Sequence, residues 1–248
     1  MRRVLFIFDT TGSMHAWIAS VRQHVGSLAT RILDEDDDCE IGFIAYGDYC
    51  DTTRMIQDST HPEFMYTGEL PVLGSDPPEL RYSYSGSEIE RWLANNHSTS
   101  GGDAPECIEY VLRYLRATHV PSAQAAGDQL IVFWIGDAPP HTPHDHYGNP
   151  HGLDWGRELA EIAPSGTTIY TALCGSNPVA AQCWGTMSRA TGGISVGLNN
   201  INNLADTMIA VVKRETGQLD DFAEDVRSRG ADAEMEEILV DLGASCHD

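Results

Sequence analysis

The chain has 248 residues, 42% of them hydrophobic and 21% charged, the composition of a globular protein long enough to bury one sizeable core. Its formal charge of -22 and pI near 4.6 argue against nucleic acid or an anionic membrane as the main partner, because both need a positive surface. A protein partner that is basic, or bridged through a metal, suits such a surface.

In chain order, Val4-Leu5-Phe6-Ile7-Phe8 is an apolar run too short to cross a bilayer and too continuous for a one-sided strand. It reads as a strand buried on both faces of a parallel sheet, with Asp9 at its carboxyl end. Met14, Trp17, Ile18, Val21, Val25, Leu28 and Ile32 recur at helical spacing and predict the first covering helix. Asp34 to Asp38 make an acidic turn, Ile41 to Tyr46 a second strand, and Thr52 to Ile56 an antiparallel edge strand. Gln57 to Ser85, rich in Pro, Gly, Ser and Tyr, yields no element and reads as a recognition loop or a disordered excursion. Asp103-Ala104-Pro105-Glu106 has the spacing of a capping box that opens a helix burying Ile108, Val111, Leu112 and Leu115.

Gln129-Leu130-Ile131-Val132-Phe133-Trp134-Ile135 repeats the first design. It is a buried apolar strand ending in Gly136-Asp137, followed by Ala138-Pro139-Pro140, which cannot continue it. A helix near Asp154 to Ala163, a strand at Thr167 to Leu173, a helix at Pro178 to Ala190, a short strand at Ile194 to Val196 and a helix at Asn200 to Arg214 follow. Alternation of this kind predicts an α/β fold, a doubly wound and mostly parallel sheet with helices on both faces. The main domain is expected over residues 1–215 and an acidic helical extension over 216–248. In that tail Leu219, Phe222 and Val226, then Met235, Ile238, Leu239 and Leu242, form two apolar stripes separated by Gly230. Ten acids and two arginines lie between residues 219 and 248.

The chemistry gathers at the strand ends. In open α/β sheets, ligands bind in the crevice outside the carboxyl ends of the strands, which is where Asp9 and Asp137 fall. Hydroxyls at Thr11 and Ser13 follow Asp9 at two and four residues, and such hard oxygens suit Mg²⁺ or Mn²⁺ better than Zn²⁺ or copper.

The segments Asp9-x-Thr11-Gly12-Ser13-Met14, Gly101-Gly102-Asp103-Ala104-Pro105-Glu106 and Ile135-Gly136-Asp137-Ala138-Pro139-Pro140-His141, in that order, resemble von Willebrand factor type A domains over about residues 1–215. Phe43 to Tyr49 and His151 to Trp155 add to the likeness. In that family an Asp-x-Ser-x-Ser motif, a threonine from a second loop and an aspartate from a third form a metal-ion-dependent adhesion site. The resemblance implies that Asp9, Thr11, Ser13 and Asp137 are metal ligands. For the second loop it leaves Asp103 and Thr99 as candidates, since Gly102 or Asp103 falls where the family has threonine. It also implies a non-enzymatic protein-interaction module, whose Mg²⁺ or Mn²⁺ ion completes its coordination with an acidic residue of a partner.

An enzyme reading competes. Asp9-Thr10-Thr11-Gly12-Ser13 also resembles the phosphorylated-aspartate motif of haloacid dehalogenase-type phosphatases and phosphotransferases, with Asp9 as nucleophile. Against it, Thr11 stands where a second acid is usual. Lys213 is the only lysine, and no acid follows Gly136-Asp137 until Asp145.

Cys39, Cys50, Cys107, Cys174, Cys183 and Cys246 show no paired Cys-x-x-Cys spacing and read as free thiols, with Cys174 and Cys183 the pair to test in a secreted chain. His141, His144, Asp145, His146 and His151 lie within eleven residues and offer the donors of a transition-metal site, but on an irregular segment with no helical spacing to converge them they read mainly as exposed loop residues; His141 can still support the site near Asp137. No stretch reaches the roughly 18 apolar residues of a membrane helix, and Met1-Arg2-Arg3 enters the first strand without a cleavage site. A cytoplasmic location is therefore expected.

Overall fold

A computed structural model describes residues 1–19, 30, 32–33, 38–74, 76–83, 85–96 and 98–245. Strands β1 (Arg2–Asp9), β2 (Cys39–Tyr46), β3 (Ile56–Asp58), β4 (Gln129–Gly136), β5 (Thr168–Cys174) and β6 (Ser195–Leu198) form one sheet in the order β3-β2-β1-β4-β5-β6. All neighbours pair in parallel except β3, which runs antiparallel to β2 at the edge. Beyond a helical stretch at residues 15–19, the helices among the described residues are α1 (Gly86–Asn95), α2 (Ile108–Ala117), α3 (His119–Ala126), α4 (Trp155–Ile162), α5 (Pro178–Ala190), α6 (Leu204–Glu215), α7 (Leu219–Ser228) and α8 (Ala233–Asp241).

The apolar runs of β1 and β4 are continuous because both faces of the sheet are covered. Successive side chains point to opposite faces. Val4, Phe6 and Phe8 of β1 and Ile131, Phe133 and Ile135 of β4 enter one core layer, with Met14, Ile18, Ile89 and Leu93. Leu5 and Ile7, with Leu130, Val132 and Trp134, enter the other, against α2, α4 and α5. The tail stripes belong to the first layer: Phe222, Val226, Met235, Ile238, Leu239 and Leu242 are all buried in the same cluster as Phe6. Carboxylates fasten them, since Glu234 accepts from the Asn199 and Asn200 amides at 2.7 and 2.8 Å. No helix among the described residues is long and apolar enough to cross a membrane.

Several elements differ from the sequence expectation. The edge strand begins only at Ile56, because Tyr49–Arg54 turns as a 3₁₀ helix in which Thr52 takes a positive φ of 51°. Among the described residues of the unassigned segment, the chain makes β3 and a bridge from Ser83 to Ile41. Helices α1 and α3 appear where none was expected. The box from Asp103 to Glu106 caps nothing: α2 starts at Ile108 without a side-chain cap, and Glu106 instead forms a bridge with Pro140. In the first covering helix residues 15–19 are helical, whereas Val21, Val25, Leu28 and the acids from 34 to 37 lie outside the described residues. Cys50, Cys107, Cys174 and Cys183 are free thiols, Cys39 is buried, and Cys246 lies outside the described residues.

Candidate metal centre

The strand order reverses at β1: the chain first adds β2 and β3 on one side of it, then β4 to β6 on the other. The crevice between the carboxyl ends of β1 and β4 is therefore the topological switch point, where open α/β sheets bind ligands. Asp9 is the last residue of β1 and Asp137 follows the last residue of β4. Gly136 permits this placement. A Cβ there would lie 2.8 and 2.9 Å from the Trp184 ring and 3.0 Å from the Tyr46 hydroxyl, so any larger residue would push the β4 end outward.

Asp9 is fully buried. Its Oδ1 accepts from the Thr11 amide at 2.7 Å and the Thr11 hydroxyl at 2.6 Å, while Oδ2 is buried with no hydrogen-bond partner. Burial pushes its pKa up to about 7, against the lowering effect of those hydrogen bonds. Ser13 is exposed, its hydroxyl 3.5 Å from that of Thr11. Asp137 Oδ1 is also buried and unpartnered. Thr11, Ser13 and Asp137 line one cleft of about 350 Å³ together with residues 100–104, Glu106 and the α5 cap Asn177.

The second loop reaches this cleft because Asp51 holds it, accepting from the Ser100 amide and hydroxyl at 3.0 Å each and from the Asp48 amide at 2.8 Å. The two second-loop candidates part company. Thr99 turns aside: its hydroxyl is 2.9 Å from that of Thr10, and it lines a neighbouring cavity with Arg54 and His15. Asp103 lines the cleft, but its carboxylate is exposed and its charged neighbours are His141, Asp48 and Asp145.

A residue assigned only to capping takes the inner position. Glu106 is buried, its Oε2 has no partner, and burial followed by the charges of Asp9 and Asp48 pushes its pKa up to about 10. The bridge to Pro140 carries it beside the β4 end, a tertiary pairing that no local spacing announces. Its one sequence signal is an acid three residues after Asp103 that begins no helix, the apolar period starting only at Ile108.

The histidine segment also differs. His144 and His146 are exposed, but His141 is fully buried. It pairs with Asp48 and Asp145 and not with Asp137.

The donors fit a hard divalent ion. Buried carboxylate oxygens at Asp9, Asp137 and Glu106 with no protein hydrogen-bond partner, beside two hydroxyls, form a set of hard oxygens that a divalent cation would satisfy. In three dimensions the chain is similar to a von Willebrand factor type A protein from Catenulispora acidiphila, at 14% identity and TM-score 0.56 over 89% of this chain and 42% of that one. It is similar to proximal thread matrix protein 1 of the mussel byssus in a form with a zinc-occupied MIDAS motif, at 12% identity and TM-score 0.54 over 90% and 48%. The pilus adhesin SpaC of Lactobacillus rhamnosus GG matches at 14% identity and TM-score 0.56 over 89% and 30%. The chain thus spans less than half the length of each of these. No protein-family model and no curated protein matches the sequence. Sheet order, strand-end acids and these likenesses agree: the chain has the von Willebrand factor type A fold.

Proposed function

We propose that this chain is a metal-dependent protein-interaction module. Asp9, Asp137, Thr11 and Ser13 hold one Mg²⁺ or Mn²⁺ ion, and Glu106 supplies the buried second-loop carboxylate in place of Asp103 or Thr99. The observation that carries the reading is the pair of buried, unpartnered oxygens, Asp9 Oδ2 and Asp137 Oδ1, on the two strands that flank the switch point. When bound, the ion would offer an electrophilic position to an acidic residue of a partner protein. The chain's own residues orient it: the Thr11 amide fixes Asp9, and Gly136 lets Asp137 approach.

Against the phosphotransferase alternative stands the position of the only lysine. Lys213 Nζ donates to Gln218 at 2.9 Å, near the end of α6. Two residues on, Glu215 accepts from Gln129, the first residue of β4 and so at the opposite end of that strand from Asp137. No phosphate-steadying lysine is available to Asp9, and incubation with phosphate donors is expected to leave no aspartyl-phosphate by mass spectrometry. Phosphatase turnover lost in Asp9→Asn would instead show Asp9 acting as a nucleophile.

The interaction itself is tested by capture. Immobilised protein is exposed to an extract of the native cell with Mg²⁺, then washed with chelator. The reading expects a protein partner released by chelator and not captured by Asp9→Ala. A partner held equally by Asp9→Ala and in chelator would contradict it.

A further inference from the structure

Beside the strand-end cleft lies a second cluster of different chemistry. Among the described residues, Asp48, Asp103 and His141 each offer one ligand atom, and the three atoms lie within 4.8 Å of one another. They come from three separate loops. Asp48 follows β2, Asp103 belongs to the second loop, and His141 follows Pro139-Pro140 after β4.

The imidazole is held as metal-binding histidines are held. Its Nδ1 lies 3.3 Å from Asp145 Oδ2, and Asp145 is itself fixed by the Tyr147 and Gly148 amides at 3.1 and 2.9 Å. Both partners are carboxylates, which can only accept, so in the metal-free chain Nδ1 donates to Asp145 and Nε2 donates to Asp48 Oδ1 at 3.0 Å. Gly148 packs closely against the ring, since a Cβ there would lie 2.3 Å from Nδ1 and Cε1. His141 and Asp48 are 0% and 3% exposed, whereas Asp103 opens the cluster to solvent. With metal-to-ligand bonds of about 2.0–2.2 Å, neighbouring ligand atoms stand roughly 3 to 3.5 Å apart, and the Nε2 to Oδ1 separation falls in that range. An imidazole with two carboxylates and an open face is the donor set of a borderline ion, with Asp145 as the carboxylate behind the histidine.

We propose that Asp48, Asp103 and His141 form a second metal site, selective for a transition ion such as Zn²⁺ or Co²⁺ and distinct from the hard-oxygen site at Asp9 and Asp137. In the metal-free chain a proton joins Nε2 to Asp48, and the ion takes its place. Asp145 is a positioning residue.

The test uses the full chain, stripped with chelator and dialysed, then titrated with Co²⁺ in excess Mg²⁺ while the visible d–d absorption is followed. The expected result is one Co²⁺ per chain, displaced by Zn²⁺, retained in Asp9→Ala and in the double variant His144→Ala/His146→Ala. Asp103→Asn, at an exposed position, and His141→Gln should weaken it at least about 10-fold, and Asp145→Asn about 10-fold. Far-UV circular dichroism checks the fold of each, and Asp103→Asn decides the matter if the buried His141→Gln does not fold. Absence of stoichiometric binding, binding unchanged in Asp103→Asn, or binding lost in Asp9→Ala or in the His144/His146 variant would overturn the assignment. Because the hard site is probed by Mg²⁺ alone, its failure would be seen separately.

Discussion

Gly136 shows how one missing side chain sets the position of Asp137, a proposed metal ligand. A methyl group there would meet the buried Trp184 ring at 2.8 Å, and that indole is pinned by its Nε1 hydrogen bond to Ala138 at 2.8 Å. The ring cannot yield, so the backbone bearing Asp137 must. Gly136→Ala is therefore expected to cost about 1–3 kcal/mol of stability by overpacking and to weaken Mg²⁺ binding, measured by denaturant melts and calorimetry. Full affinity in this variant would show that Asp137 need not sit where Gly136 puts it. Glu106→Gln is expected to weaken Mg²⁺ binding by about 10-fold or more, while Thr99→Ala and Asp103→Asn leave it within about threefold. The strand-end placement of Asp9 and Asp137 was legible because an apolar run ending in an acid is a local pattern. Glu106, Asp48 and the burial of His141 were not, because each is set by a neighbour 32 to 93 residues away.

Elements depend on a buried polar network as much as on apolar stripes. Asp58 at the end of β3 accepts from Tyr114 at 2.9 Å, from Thr60 at 2.7 and 2.8 Å, and is paired with His119 at 2.8 Å; His119 in turn contacts Tyr82 at 2.7 Å. These bonds tie the irregular segment after β3 to α2 and α3. Burial by itself would raise the Asp58 carboxyl, but the His119 imidazole and the Thr60 hydrogen bonds hold it below its ordinary value. The sign follows. A depressed folded-state pKa contributes stability that is fully present above the unfolded value of about 3.9 and is lost as pH falls through the folded value. Thermal melts should therefore show a loss of stability below about pH 4 that Asp58→Asn lacks, and Asp58→Ala should cost about 3–5 kcal/mol at pH 7. An unchanged acid limb in Asp58→Asn would assign the loss to other carboxylates. The same element scale explains two helices missed in the sequence. Helix α1 buries only Gly86, Ile89 and Leu93, and α3 is a run of small residues with Pro121 in its first turn, where proline is tolerated but periodicity is faint.

For the whole molecule, the parallel sheet was legible from continuous apolar runs alternating with amphipathic ones, and the order of its strands explains why two acids so distant in sequence meet at one edge. The tail was legible as two stripes, and its side chains complete the core layer over β1. Phe222→Ala is expected to cost about 3–5 kcal/mol, as in any well-packed core, read by denaturant melts; a change under about 0.5 kcal/mol would mean that the tail docks only loosely. The excess of acids also has a global effect, since a charge of -22 repels itself and should make the melting temperature rise with added monovalent salt.

If Asp9 and Asp137 hold a hard divalent ion at the strand ends, calorimetric titration of Mg²⁺ and Mn²⁺ into the wild-type chain should show one site, and none in Asp9→Ala or Asp137→Ala, each checked for fold by circular dichroism. Binding undiminished in both variants would place the ion elsewhere or nowhere on the chain.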